Sequence, residues 1–371
     1  MTTPASLGIA IVDWQAISPL GIGAQAFGES SMSLGTVAQH PLHVSASEFP
    51  QDIAYRPAYF ETARLLGAKG IRTMDRTTAL AVCTAKLLHG DRPTAEGAAS
   101  ERLGFVLGTS TGSIRSTSDF TRESLVQERP FLVNPALFPN TVMNCAAGQC
   151  GIWFKARAVN ATISGGRLSG LLALKYAAQT LRRGYADRLF TGAVEEMCPQ
   201  TAWAHRQLIR QGRRHDVPVG EGCAMFELER TADVLARGEQ PTAEIMALQY
   251  GRYFDPLEPA MPPVQAAAEC IVEALHRCGV AAEEVAICVL CSAADAGSSE
   301  IEREAAVRTL PASVELLGAE MVARVGDTYS ATIALALGQL LVKLKGGKEP
   351  QIGIALTVCV DGHVGCLVVR A

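Results

Sequence analysis

Short apolar runs recur along this chain, each set beside a stretch with helical spacing. Gly8-Ile-Ala-Ile-Val12, Arg102-Leu-Gly-Phe-Val-Leu107, Arg188-Leu-Phe-Thr-Gly-Ala-Val194 and Cys223-Ala-Met-Phe-Glu-Leu228 read as strands buried on both faces. Residues 77–88 and 170–183 carry the spacing of helices between them. Beyond Gly238-Glu-Gln-Pro241 the habit repeats. A helix over 263–278 leads to the strand 285–291, and a helix over 330–344 leads to the strand 352–358. A last strand, 365–370, is expected to pair antiparallel with it. This alternation predicts an α/β fold with its sheets covered on both faces. The two similar halves suggest an internal duplication, divided as 1–240 and 241–371. Residues 35–57 and 91–99 read as loops.

At 371 residues, 48% apolar and 19% charged, the chain has ample material for a core. The net charge of −4 and the lack of a Lys/Arg run argue against a nucleic-acid partner. Apolar runs stop well short of the roughly 18 residues a membrane span needs. Met1-Thr-Thr-Pro-Ala5 lacks the order of a signal peptide, so a cytoplasmic protein is expected. The eleven cysteines are irregularly spaced in apolar segments, as reduced core thiols would be. Cys288-Val-Leu-Cys291 has the spacing of a metal or redox pair. On a strand, however, its two side chains point to opposite faces, and no metal is expected.

The segment with the sharpest chemical outline is Asn160-Ala-Thr-Ile-Ser-Gly-Gly-Arg-Leu-Ser-Gly170, which runs into the apolar stretch Leu171 to Ala178. A strand ending in glycines and turning at once into a helix is the form of a nucleophile elbow. At such a helix N-terminus a thiol's pKa falls, and backbone N–H groups can stabilise an oxyanion. The side chain at the apex here is Arg167. A guanidinium keeps its proton and cannot attack. It is also unfavourable at the positive end of a helix, by roughly 0.3–1 kcal/mol, unless an anion answers it.

Other motifs lie in an order that resembles the β-ketoacyl-ACP synthases of the thiolase fold over nearly the whole chain. These are Met74-Asp-Arg76, Gly108-Thr-Ser-Thr-Gly112, Phe138-Pro-Asn-Thr-Val-Met-Asn-Cys-Ala-Ala-Gly148, and Arg213 to Gly222 followed by Ala236-Arg-Gly238. The resemblance implies duplicated βαβαβ halves in a layered α-β-α-β-α body. It places the family's catalytic Cys at Arg167 and its first His at Cys291, in Cys291-Ser-Ala-Ala-Asp295. Its second His falls at Asp327, in Gly326-Asp-Thr-Tyr-Ser-Ala331, and its late Gly-Phe-Gly-Gly turn becomes Cys359-Val-Asp-Gly362. Condensation in that family uses a thiolate to carry the acyl chain and two imidazoles for decarboxylation. None of the seven histidines here falls at either imidazole position.

A ketosynthase-like chain without that triad looks most like a chain length factor, the silent half of a type II polyketide synthase heterodimer. The resemblance implies a partner ketosynthase subunit carrying Cys-His-His and an acyl carrier protein reached through the complex. It also implies no cofactor, and a tunnel whose length sets the polyketide or polyene product. Ser116, Thr117 and Phe120 are expected to line or close the distal end of that tunnel. Phe138, Asn140, Thr141 and Met143 are expected to reach across the interface. The strand at about 159–164 is expected to pair across the two-fold axis. Two other readings stay open: a non-catalytic thiolase-fold protein binding acyl-ACP or CoA, and an active acyltransferase with relocated chemistry. The latter would need another nucleophile, and Cys145 and Cys150 are nearest in sequence.

Within the sequence itself, Arg167 and Asp327 are opposite charges at positions that face each other in an active synthase. They are expected to form a pocket ion pair, with Asp295 as a reserve partner for Arg167. The competing expectation is that Arg167 swings out to solvent or into the interface. Glu221 reads as a buried carboxylate satisfied by backbone N–H groups, and His363 as a solvent-facing turn residue.

Overall fold

The computed structural model describes residues 7–32, 42–45, 47–50, 53–93, 96–212, 217–254, 260–292, 297–345 and 350–371. Ten strands carry the fold: β1 (Ile9–Ser18), β2 (Leu103–Gly108), β3 (Asn160–Ile163), β4 (Arg188–Glu195), β5 (Gly222–Arg230), β6 (Ala243–Arg252), β7 (Val285–Leu290), β8 (Glu315–Leu317), β9 (Ile352–Val358) and β10 (His363–Arg370). Their spatial order is β8-β7-β9-β10-β6-β1-β5-β4-β2-β3, with the two-residue strand Gly21–Ile22 paired to the end of β1. The second five strands therefore repeat the pattern of the first five. In both sets the second strand runs parallel to the third and fourth. In both the remaining pairs are antiparallel. Among the described strands, the two sets join where Ile9–Ile11 of β1 meets Ala243–Ile245 of β6.

The principal helices are α1 (Arg76–His89), α2 (Ile114–Val126), α3 (Cys145–Trp153), α4 (Ser169–Arg182), α5 (Pro199–Arg210), α6 (Pro263–Cys278), α7 (Ser298–Thr309) and α8 (Ala331–Leu344). Alternation along the strands sorts side chains into layers. Phe105 and Leu107 face an outer cluster with α1 and α3, while Val106 between them faces the centre. In the other half Cys288 and Leu290 face an outer cluster with α6 and α7, while Val289 faces the centre. The central layer is α4 and α8: α8 is buried on nearly every side, while α4 buries one face and leaves Tyr176, Gln179 and Arg182 exposed on the other. The result is an α-β-α-β-α stack in a thiolase-like fold. Cys288 and Cys291 do belong to opposite layers, and both are buried.

Several boundaries differ from those read in the sequence. β1 continues to Ser18 through a register irregularity between Ile11 and Asp13, and its polar side chains find local partners: Asp13 Oδ1 accepts the Trp14 N–H at 2.7 Å and Gln15 Oε1 the Ala24 N–H at 2.8 Å. Within 91–99 a short helix, Ala98–Arg102, already begins. Within 35–57 the described residues include a small pairing of Leu42–His43 with Ile53–Ala54. No helix among the described residues is long and apolar enough to cross a membrane.

The close seating of α4 depends on Gly170. A Cβ there would lie 2.7 Å from Ile333 Cγ2, 2.8 Å from the Ser330 carbonyl oxygen and 3.2 Å from Ala193 Cβ. Two of those neighbours belong to α8 and its approach, so the clash would wedge the two central helices apart. Gly170→Ala is expected to destabilise the fold by about 1–3 kcal/mol, read as a lower urea midpoint at unchanged slope.

Candidate functional site

The turn between β3 and α4 is built by its glycines. Gly166 has φ +57°, a left-handed conformation that side chains resist. Leu168 N–H donates to the Gly165 carbonyl at 3.2 Å. Ser169 Oγ donates to the Gly166 carbonyl at 2.6 Å and accepts the Gly165 N–H at 3.0 Å. Gly108, at the end of β2, lets the turn close, since a Cβ there would lie 2.5 Å from the Ser169 carbonyl oxygen. Arg167 is thereby held at the apex of an elbow, two residues ahead of the helix.

Its head group turns inward. Arg167 Nη1 donates to Asp327 Oδ1 at 2.9 Å and Nη2 to Asp327 Oδ2 at 2.6 Å, a bidentate pair. The side chains are 9% and 1% exposed. Asp327 is fixed by its own main chain, whose N–H donates to the Pro218 carbonyl at 2.8 Å and whose carbonyl accepts the Gly220 N–H at 2.9 Å. Its Oδ1 also accepts the Tyr329 N–H at 3.0 Å. Tyr329 is one of three described non-glycine residues with positive φ, at +47°. Its ring centroid lies 5.2 Å from the guanidinium carbon, within cation–π range. His205 of α5, wholly buried, approaches from the other side, with Nδ1 3.5 Å from Asp327 Oδ2. Its Nε2 must carry a hydrogen, because it donates to the Val217 carbonyl at 2.6 Å.

Among the described residues, neither member of the pair can act as a nucleophile. The guanidinium stays charged, and the carboxylate is occupied by three donors. Cys291 is buried, and burial pushes its thiol well above the ordinary range. Burial likewise raises the thiols of Cys145 and Cys150, the nearest alternatives to the elbow. The late turn bears an acid where an oxyanion would be repelled: a Cβ on Gly166 would lie 2.9 Å from Asp361 Oδ2. The other oxygen of Asp361 is 3.1 Å from His363 Nδ1, and both side chains are about half exposed. Asp295 lies outside the described residues. No group of three metal-ligating side chains occurs among the described residues.

Glu221 requires a correction. It is fully buried, but its principal partner is the Arg76 guanidinium, with Nε at 3.1 and 3.2 Å and a short contact from Nη2. Arg56 Nε lies 3.7 Å from it, and among the described residues one backbone N–H, that of Met197, reaches it, at 3.2 Å. A buried carboxylate with a charged partner is cheaper than one held by amides alone. Two neighbours stand at the end of β4: Glu195 is its last residue and Glu196 the next. Glu195 is held by the Ser110 N–H and the Ser330 hydroxyl and sits near Asp327. Glu196 Oε1 accepts the Arg115 N–H at 3.1 Å, in the first turn of α2.

The residues expected to line a tunnel lie together, though not all face outward. Ser116 Oγ donates to Asp75 Oδ2 at 3.1 Å. Thr117 Oγ1 lies 3.1 Å from the Ser113 carbonyl and 3.2 Å from that of Thr141, tying α2 to the 3-10 helix Pro135–Thr141. Phe120 and Phe138 pack at 5.8 Å between ring centroids. Asn140 points inward, where its Nδ2 donates to the Thr73 carbonyl at 2.7 Å and its Oδ1 lies 3.5 Å from Cys145 Sγ. Phe138, Val142 and Met143 remain exposed. Sequence reasoning missed His205, Tyr329 and Glu196. Tyr329 stands inside the quoted 326–331 segment, and a donor two residues after an Asp is a local signal. His205 has none, since it comes from an unrelated helix.

The stack of two like halves and the glycine elbow together define a thiolase-like condensing-enzyme scaffold. The chain belongs to the β-ketoacyl synthase family, whose N-terminal domain matches residues 43–234. It is 24% identical over 259 residues to a Streptomyces virginiae protein named for polyketide β-ketoacyl synthase 1, covering 64% of this chain and 61% of that protein's length. It is 23% identical over 297 residues to the 3-oxoacyl-[acyl-carrier-protein] synthase 2 of Rhizobium meliloti (strain 1021), covering 72% and 70%. Among solved structures, the ishigamide ketosynthase/chain length factor superposes with TM-score 0.82 at 28% identity over 99% of both chains. A type II polyketide synthase acyl-carrier protein in complex with its ketosynthase superposes with TM-score 0.77 at 17% identity over 98% of both, a likeness of fold.

Two predictions follow from the charges. Arg167→Ala leaves Asp327 buried without its cation and should destabilise the protein by about 3–5 kcal/mol, measured by chemical denaturation. Burial pushes the Glu196 carboxyl up to about 7, the charges of Asp75 and Glu221 adding to it and the Arg115 N–H opposing it. The folded protein then keeps this proton over a range where the unfolded chain has lost it. Stability present below the ordinary carboxylate range is lost as pH rises to about 7, by up to roughly 3 kcal/mol at about 1.4 kcal/mol per pKa unit. Glu196→Gln, which can still accept the Arg115 N–H, should flatten that slope between pH 5 and 7, followed as the denaturation midpoint.

Proposed function

We propose that this chain is the non-catalytic partner subunit, the chain length factor, of a ketosynthase heterodimer. The observation that carries the reading is the commitment of the elbow residue, Arg167, to Asp327. A side chain in that state cannot accept an acyl group, so condensation must rest with a second subunit bearing Cys-His-His. In this reading residues 1–240 and 241–371 are the two thiolase-like halves, and no cofactor is needed. The complex works in the cytoplasm and receives its substrates from an acyl carrier protein.

A partner is supported by what the surface leaves uncovered. β3 ends the sheet, and among the described strands it pairs only with β2. Beside it and along α2 and the 3-10 helix stand Leu125, Phe131, Phe138, Val142, Met143 and Ile152, all exposed. An open strand edge next to a wide apolar surface is an association site or an aggregation hazard. A permanent interface there would bury more than about 2,000 Å². The α2 segment with Ser116, Thr117 and Phe120 would bound the growing chain, giving this subunit control of polyketide or polyene length.

The test is co-expression with a neighbouring gene encoding a Cys-His-His synthase, followed by size exclusion and acyl-loading mass spectrometry. The expected result is a stable heterodimer in which acyl groups appear on the partner's cysteine and on no cysteine of this chain. A soluble monomer in the partner's presence, or an acylated cysteine here, would overturn the reading.

A further inference from the structure

Away from the elbow, a cleft of about 260 Å³ opens between the exposed face of α4, strand β6 and the end of α6. Its polar lining is Lys175, Gln179 and Arg182 of α4 with Arg277 of α6, over an apolar floor that includes Met246 and Leu248. No carboxylate lines it among the described residues. Gln179 lies one turn and Arg182 two turns beyond Lys175 along one helical face, so the three head groups share a direction.

The charges are poorly answered. Arg277 Nε is bonded to Glu273 Oε1 at 2.7 Å, outside the lining. Lys175 lies over the Tyr250 ring, its Nζ 4.3 Å from the centroid, which offers a quadrupole and not a counter-charge. Arg182 makes no ion pair among the described residues. In the last turn of α4 it answers the helix dipole, as Arg277 does for α6. Lys175 is mid-helix and half-buried, so the dipole does not explain it. Burial and the Arg277 charge hold its ammonium below the usual lysine range. Like charges gathered over an apolar floor are relieved by an anion.

We propose that this cleft binds a phosphate-bearing group, with Lys175, Gln179, Arg182 and Arg277 as its donors. Guanidiniums match phosphate oxygens bidentately and the ammonium adds a point charge, whereas a neutral ligand would gain little here. The site is separate from the elbow and does not depend on the partner-subunit reading.

The test is calorimetric titration of the full chain, alone or in its complex, with inorganic pyrophosphate at low salt and with sodium chloride at matched ionic strength. Saturable binding of one equivalent is expected with pyrophosphate and none with chloride. Lys175→Met and Arg182→Gln should each weaken it about tenfold, the scale of one charge-assisted hydrogen bond. Glu273→Gln, which frees Arg277, should tighten it, a gain that loss of packing would not produce. A titration that does not saturate, or one indifferent to all three substitutions, would overturn the proposal. Binding of an acidic peptide without pyrophosphate binding would also overturn it and assign the surface to a protein.

Discussion

Everything distinctive about this molecule turns on one ion pair. The elbow and the loop before α8 are two rigid devices that bring one side chain each into the middle of the stack. In a condensing enzyme that convergence serves chemistry. Here Arg167 and Asp327 fill it, and each makes the other tolerable: a buried guanidinium or a buried carboxylate alone would cost several kcal/mol. Tyr329 and His205 close around the pair from the loop and from α5, so three elements meet at it.

The same turn also holds the central layer together, whatever side chain stands at its apex. The glycines that build the elbow also seat α4 against β2 and α8, as Gly108 and Gly170 show. That turn cannot be discarded without losing the central layer. A cation at its apex needs an anion, and the loop that starts at Gly326 presents one in Asp327, whose backbone is already fixed by Pro218 and Gly220. The carboxylates behind α2 extend the pattern: Asp75, Glu196 and Glu221 hold the N-terminal turns of α1 and α2 and Arg76. The surface expected to bound a growing chain therefore rests on buried charge rather than on apolar packing alone.

Much of the fold was legible because burial on both faces writes a continuous apolar run. The helix Pro263–Cys278 and the strand Ile352–Val358 have the bounds read from the sequence. β1 was read short because Asp13 and Gln15 break its run, and only the structure reveals that the Trp14 and Ala24 N–H groups take up their side-chain oxygens. At the site, Arg167 and Asp327 stood out as charges in places meant for uncharged or catalytic groups. Glu221 was misjudged because its partner, Arg76, lies 145 positions away. His205 was invisible for the same reason: nothing local marks a histidine whose role is set by a distant loop.

The central claim is that Arg167 and Asp327 act as one unit, and a double-mutant cycle tests it most directly. Arg167→Met, Asp327→Leu and the double variant would be compared by denaturant unfolding. The predicted result is strong coupling: either single change strands a buried charge, while the double change removes both and costs less than the sum by at least about 2 kcal/mol. Additive losses, within about 0.5 kcal/mol, would mean that the two side chains do not depend on each other and would contradict the account.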